Sequence, residues 1–144
     1  MQINGSHKFT ASSQRVFNAI LDPSVLQFCI PGCDSVEYLD ANHIQAKVAL
    51  PLPGLKGVFA AVIDITEREE PNKLTLQLQR AGKVGSINAT SWIDITDEPD
   101  GALLNYHATA EMEGAIAMAN NPVGQSITKN SLNSFFEKLD KAIA

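Results

Sequence analysis

The feature that most constrains the fold is a long alternation of apolar and polar residues, which is followed by one helical pattern at the carboxyl end. Successive side chains of a strand point to opposite faces, so the alternation predicts strands. Short turns such as Asp40-Ala41-Asn42 separate the segments, and neighbouring strands are therefore expected to pair in antiparallel fashion. Six strands are predicted in this region, at 35–40, 43–50, 56–67, 73–80, 84–96 and 102–113.

The segment that precedes this alternation predicts one strand and two short helices. Residues 2–10 alternate and form a strand with one buried face. Ser12 or Ser13 can cap a first helix by accepting a bond from a free backbone N–H. A second helix starts at Asp22-Pro23, with aspartate as the cap and proline at the first helical position, and it ends at Pro31-Gly32.

The carboxyl end, from residue 116 to residue 144, predicts one long helix of about 43 Å. Pro122 implies either a kink or a delayed start, because proline removes one backbone hydrogen bond and clashes with the preceding turn. The predicted apolar stripe consists of Ile116, Ala119, Val123, Ile127, Leu132, Phe135, Phe136, Leu139 and Ile143.

The order of elements indicates an α+β fold with one domain over residues 1–144, in which a seven-stranded antiparallel sheet wraps around the long C-terminal helix. The space between sheet and helix is either a filled core or a ligand cavity. Small residues among the inward-facing positions leave both alternatives open.

Composition excludes several classes of function. The net charge of -5 disfavours nucleic acid as a partner. The first residues lack the pattern of a secretory signal, and no apolar run approaches the ~20 residues that span a bilayer. We therefore expect a cytoplasmic protein without an integral membrane segment.

Cys29 and Cys33 flank an Ile-Pro-Gly turn, and a redox pair, a metal site and a structural corner all have to be considered. A zinc site needs about four ligands, and no second pair or neighbouring histidine stands in the sequence. Free cysteine is among the most buried residue types. The favoured interpretation is a structural corner, and no metal site is predicted.

The inward faces of the predicted strands and helix supply the candidate residues of a ligand pocket. His7, Arg80 and Tyr106 are the polar groups that could orient the head group of a ligand, and the loop formed by Pro51–Gly54 and Lys56-Gly57 could border the mouth. The apolar candidates are Phe59, Leu76, Leu78, Ile93, Leu104, Ala108, Ala110, Met112, Ile116, Val123 and Ile127.

Four segments carry a family resemblance: LDPSVLQFCIPGCDSVE at 21–37, LKGVF at 55–59, GKVGSINA at 82–89 and FFEKL at 135–139. They resemble the CoxG family of carbon monoxide dehydrogenase subunits, which has the helix-grip fold of START and Bet v 1-like (SRPBCC) proteins. The resemblance implies a non-catalytic accessory protein of a molybdenum hydroxylase, with a role in maturation, recruitment or electron-carrier delivery. It also implies a quinone or lipid as the bound molecule and is compatible with peripheral membrane contact.

Three hypotheses of function follow. The first is a CoxG-like carrier or accessory protein with an apolar pocket. The second is a helix-grip enzyme of the cyclase or dehydratase type, which needs at least two convergent ionisable groups, whereas the inward positions offer His7, Arg80 and Tyr106. The third is an adaptor with a filled core that docks a partner protein through its surface.

Overall fold

The computed structural model describes residues 1–49, 57–83 and 85–143. Residues 50, 56 and 84 of the predicted strands lie outside the described residues, as does the predicted mouth loop Pro51–Gly54. The elements in chain order are strand β1 (Gln2–Phe9), helices α1 (Ser13–Ile20) and α2 (Pro23–Cys29), strands β2 (Cys33–Asp40), β3 (His43–Ala49), β4 (Val58–Glu69), β5 (Lys73–Gly82), β6 (Gly85–Glu98) and β7 (Gly101–Glu113), a 3-10 helix (Gly114–Asn120) and helix α3 (Pro122–Ile143).

The strands form the predicted seven-stranded antiparallel sheet, in the order β1-β7-β6-β5-β4-β3-β2. Strands β2 to β7 follow one another as hairpins, whereas β1 pairs with β7 at the far side of the sheet. The chain therefore has to cross from one edge of the sheet to the other between β1 and β2, and α1 and α2 make that connection. The predicted fold class is confirmed.

Side-chain caps fix where the two short helices begin. The hydroxyl of Ser12 accepts a bond from the backbone N–H of Arg15 and caps α1. The N–H and the hydroxyl of Ser13 both donate to the carboxylate of Asp97 at 2.9 Å, which ties α1 to the end of β6. Asp22 caps α2 by accepting the N–H of Ser24. Of the two serines considered as cap, Ser12 is the one that fulfils the role.

The C-terminal helix starts later than the apolar pattern suggests. The α-helix begins at Pro122, where the missing N–H costs nothing, and the side chain of Asn121 accepts the N–H of Gly124 at 2.8 Å. Helix α3 has 22 residues and is thus about 33 Å long. The delayed start is confirmed, and the residues before it form the 3-10 helix.

The closely packed core lies at the end of the sheet that carries the β4–β5 and β6–β7 turns. Phe9, Leu74 and Ile95 are almost fully buried there, and each lies near the end of its strand that approaches these turns. Helix α1 contributes Val16 and Phe17, and the last turns of α3 contribute Leu139 and Ile143. The other half of the space between sheet and helix is not filled in this way.

No helix in the ranges 1–49, 57–83 and 85–143 combines the length and the apolar character needed to cross a membrane.

Candidate functional site: an apolar cavity beneath the C-terminal helix

A cavity of about 310 Å³ lies between the concave face of the sheet and α3. All seven strands contribute to its lining, because inward side chains recur at every second position. The strand residues that line it are Ile3, Val36, Ile44, Ala46, Ile63, Leu76, Ser91, Ile93, Leu104, Tyr106 and Ala108.

The three α-helices close the cavity from the other side. Helix α3 crosses the concave face with Phe135 and Phe136 turned to the hollow, and α1, α2 and their flanking residues complete the wall. The lining residues from this part of the chain are Ile20, Leu21, Leu26, Ile30, Thr128, Leu132, Phe135 and Phe136.

Two small residues meet on neighbouring strands in the part of the sheet that lines the cavity. Ala108 of β7 and Ser91 of β6 are register partners, with Ile3 of β1 opposite Ala108 and Leu76 of β5 opposite Ser91. A row across four strands therefore has long side chains at its ends and short ones at its centre. Ala108 and Ser91 both line the cavity, and their short side chains leave space on this part of the sheet.

Three stacked rings connect the sheet to α3, and two of them, Phe136 and Tyr106, line the cavity. The ring of Phe136 stacks on those of His7 and Tyr106, with centroid distances of 5.0 Å and 5.4 Å and interplanar angles of 12° and 28°. Phe135 meets Phe136 edge-on at 5.5 Å. Aromatic contacts of this kind add to the energy of apolar burial, so they stabilise this side of the cavity.

His7 fixes the position of this wall through a polar contact. Its Nε2 lies 2.8 Å from Oδ2 of Asp140, which joins the edge strand β1 to the last turns of α3. The imidazole stacks on Phe136 and is not among the groups that line the cavity. His7 thus connects the sheet to the helix, and its predicted role in orienting a ligand remains a prediction.

The lining offers few polar groups. Its side-chain hydroxyls belong to Ser91, Tyr106 and Thr128, and that of Thr128 already donates to the carbonyl of Gly124 at 2.9 Å. None of the described residues that line the cavity carries a formal charge at neutral pH. A molecule held here is surrounded mostly by carbon atoms and meets two hydroxyls, those of Ser91 and Tyr106, whose donors are not used within the described residues.

The structure brings five of the sequence-predicted pocket residues together around the cavity: Leu76, Ile93, Leu104, Tyr106 and Ala108. Arg80 lies elsewhere, because its Nε donates to the carbonyl of Ala60 at 2.7 Å and its guanidinium covers the ring of Phe59 at 5.3 Å. Arg80 and Phe59 thus contact each other, and the prediction that they lie in the lining of the cavity is corrected. Contact between a ligand and the five lining residues remains a prediction.

The remaining candidates also lie away from the cavity. Leu78, Ala110 and Met112 lie further along their strands than the residues that line the hollow. Ile116 is buried in the 3-10 helix.

Two predicted residues of α3 point in other directions. Val123 is 61% exposed. Ile127 lines a surface groove beside Pro31. The stripe of α3 that faces the cavity is Thr128, Leu132 and Phe135-Phe136, so placing Val123 and Ile127 in the inward stripe was wrong by one helical position.

Sequence reasoning missed the contribution of α1, α2 and the strands β2 and β3, and on β4 it selected Phe59 where Ile63 lines the cavity. Ile44 and Ala46 alternate cleanly along β3 and could have been assigned from that pattern. Ile63 could not, because both faces of β4 are apolar. Thr128 gave no apolar signal, since its methyl group alone makes it a lining residue.

The two cysteines are free thiols at the corner between α2 and β2. Cys29 is fully buried, whereas Cys33 is partly exposed and its Sγ donates to the carbonyl of Ser35. Burial raises the pKa of both thiols, which lowers their reactivity as nucleophiles. Among the described residues, no group of three or more His, Cys, Asp or Glu side chains is arranged to hold a metal ion.

Residues 5–144 match the family model of CoxG, a subunit of carbon monoxide dehydrogenase. A conserved protein from Geobacillus kaustophilus is 29% identical in sequence, with a TM-score of 0.88 over 99% of this chain and 95% of that chain. No match was found among curated proteins.

Two more distant solved structures establish the fold alone. A START superfamily protein from Mycobacterium smegmatis is 13% identical, with a TM-score of 0.76 over 99% of this chain and 96% of that chain. Ara h 8.0201 is 10% identical, with a TM-score of 0.73 over 99% of this chain and 97% of that chain. The architecture is that of START and Bet v 1-like proteins.

Proposed function

The chain belongs to the CoxG family of carbon monoxide dehydrogenase subunits, and we propose that it is a non-catalytic accessory protein that carries an apolar ligand. The observation that supports the proposal is the cavity of about 310 Å³ with a lining free of charged side chains. Its volume lies at the lower end of the range of roughly 300–1,000 Å³ that is common for small-molecule sites.

The proposed ligand is lipid-like or quinone-like. Such a molecule gains free energy when its apolar surface leaves water, at about 25 cal/mol for each Å² that is buried. The stacked wall of Phe136 and Tyr106 offers a flat face to a ring or an alkyl chain, and Ser91 and Tyr106 offer hydroxyls to a carbonyl group. Leu76, Ile93, Leu104 and Ala108 are proposed to contact the apolar part.

The proposed partner is a molybdenum hydroxylase of the carbon monoxide dehydrogenase type, which the protein assists by maturation, recruitment or delivery of an electron carrier. We place it in the cytoplasm, as one domain over residues 1–144, with peripheral contact to membranes. The family match supports an association with carbon monoxide dehydrogenase, whereas the location, the single domain and the membrane contact are proposals of our own.

The two alternative functions have less support. A helix-grip enzyme needs a second ionisable group beside Tyr106, and neither His7 nor Arg80 lines the cavity. A filled-core adaptor needs close packing between sheet and helix, which the open floor above Ala108 and Ser91 does not provide.

Native mass spectrometry of the protein purified from its own host tests the proposal. A co-purifying lipid or quinone, lost after organic extraction and regained on incubation with the extract, is the expected result. A bound partner enzyme without any small molecule, together with an extract that fails to bind again, contradicts the carrier and favours the adaptor.

A further inference from the structure

A second depression of about 280 Å³ lies between the outer edge of β1 and the first turns of α3. Gln2 and Asn4 border it on the strand, and Gln125 and Lys129 border it on the helix. Ile3 lines both this groove and the apolar cavity. A polar groove and an apolar hollow therefore adjoin at one side chain.

Because of the register between β1 and β7, some backbone N–H and C=O groups of β1 point toward the groove. Met1 and Ala110 exchange both of their backbone hydrogen bonds, so the odd-numbered residues of β1 direct their N–H and C=O groups to β7. The even-numbered residues direct theirs to the open edge, which carries no further strand within the described part of the chain. Gln2 and Asn4 thus present backbone N–H donors beside Lys129.

The groove also carries a positive charge. The ammonium group of Lys129 is on an exposed side chain and takes part in none of the ion pairs found within the described residues. The whole chain has a net charge of -5, so an anion gains nothing from the overall field of the protein. Any preference for an anion in this groove has to come from Lys129, from the terminal ammonium group of Met1 and from the backbone donors around them.

We propose that this groove is a head-group site for a single-chain amphiphile with an anionic head, whose tail passes Ile3 into the cavity. The inference rests on the proposed function, because it needs the cavity to hold the tail. The cavity of about 310 Å³ equals roughly ten liquid water volumes, which suits one alkyl chain of medium length. Lys129 and the N–H groups of Gln2 and Asn4 form charge-assisted hydrogen bonds with the head.

Two ligands with the same alkyl chain and different head groups distinguish binding in the groove from binding in the cavity. The dissociation constants of decanoate and decanol are measured at neutral pH for the wild type, Lys129→Glu and the control Lys47→Glu. Lys47 is exposed on β3, on the opposite side of the sheet, and its replacement changes the net charge by the same amount. We expect Lys129→Glu to weaken decanoate roughly fivefold to tenfold relative to the control and to leave decanol unchanged.

The outcomes distinguish the two proposals. Equal effects of both variants on decanoate overturn the head-group site, while decanol binding keeps the carrier function in place. If the folded wild type binds neither ligand, both proposals fail.

Backbone amide resonances give a readout that does not depend on a variant. Decanoate is expected to shift the N–H signals of Gln2 and Asn4, whereas decanol is not. Acetate at the same concentration is the control, because it is a carboxylate without an alkyl chain. If acetate shifts these signals as much as decanoate does, the groove holds a free carboxylate and not the head of an amphiphile, and the proposal is overturned.

Discussion

Gly5 lies opposite Tyr106 in the pairing of β1 with β7, and the phenol of Tyr106 fills the space that a side chain at position 5 would need. Glycine inside a strand usually costs about 0.5–1 kcal/mol of stability relative to alanine. Here its lack of a Cβ lets the ring of Tyr106 stand beside the edge strand and stack on Phe136 at a centroid distance of 5.4 Å. The aromatic wall of the cavity therefore depends on a glycine in another strand.

Gly5→Ala is expected to destabilise the protein by about 1–3 kcal/mol, because the new methyl group pushes the ring of Tyr106 off Phe136 or into the cavity. Urea denaturation of Gly5→Ala, Tyr106→Leu and the double variant measures the coupling between the two positions. Neighbours in contact give coupling energies of about 0.5–3 kcal/mol. Ser6→Ala, at the exposed neighbouring position, serves as the control and should change stability by less than about 0.5 kcal/mol. Additive effects of Gly5→Ala and Tyr106→Leu would show that the two residues do not constrain each other.

The parts of the fold that follow from the sequence are those decided by local chemistry. Asp22-Pro23 starts a helix wherever it stands, since the carboxylate accepts a free N–H and proline is already in a helical conformation. Alternation likewise predicts strands without knowledge of their partners. The rotation of α3 about its own axis does not follow from local chemistry. Val123 and Ile127 are as apolar as Leu132, so only tertiary contacts decide which of them faces the sheet. Buried Gly124, which packs closely against the 3-10 helix, helps set that rotation.

The cavity was harder to predict than the fold because it depends on register. Small residues at 91 and 108 are visible in the sequence, but their meeting in one row of the sheet is not. Arg80 shows the converse problem. A charged side chain near an apolar face suggests a ligand partner, yet its guanidinium finds the carbonyl of Ala60 and the ring of Phe59 within the protein itself.

Asp97 makes the stability of the protein depend on pH in the acid range. The N–H and hydroxyl of Ser13 donate to its carboxylate and hold the pKa of Asp97 below the ordinary value. A carboxyl whose folded pKa is lowered stabilises the protein above the unfolded pKa of about 3.9, and this contribution is lost as the pH falls through the folded pKa. Asp97→Asn is expected to lower stability at neutral pH and to flatten its decline below about pH 4. Thermal melts across this range provide the measurement.

Ser13→Ala is the matched variant for this effect, because it removes the hydroxyl donor and keeps the backbone N–H. Its pH dependence should lie between those of the wild type and Asp97→Asn. Identical acid profiles for all three proteins would rule out Asp97 as a source of the dependence.

Phe136 is the central ring of the stack and is 9% exposed. Phe136→Ala is expected to reduce the free energy of unfolding by about 3–5 kcal/mol, since it removes a buried ring and leaves a void between His7 and Tyr106. Phe28→Ala is the control: that ring is 51% exposed on α2 and should cost less than about 1 kcal/mol. A loss of similar size for both variants would mean that the last turns of α3 are loosely held.

Ala108→Trp tests whether the cavity is the binding site. Ala108 lies on the floor of the hollow, between Ile3 and Ser91 in register, so an indole at this position can extend into open space. We expect a change in stability of less than about 1 kcal/mol, well below the 1–3 kcal/mol or more of an overpacked core. The indole also takes up the space available to a ligand, so binding of a fluorescent apolar probe or a quinone analogue should be lost.

Asn105→Trp is the control for this experiment, because Asn105 lies on the same strand with its side chain exposed on the opposite face of the sheet. It adds the same ring to β7 without entering the cavity and should leave probe binding intact. A large loss of stability in Ala108→Trp with unchanged probe binding would place the ligand elsewhere and show that sheet and helix are in contact above Ala108. Retained stability with lost binding, seen in Ala108→Trp and not in Asn105→Trp, assigns the ligand to the space between β7 and α3.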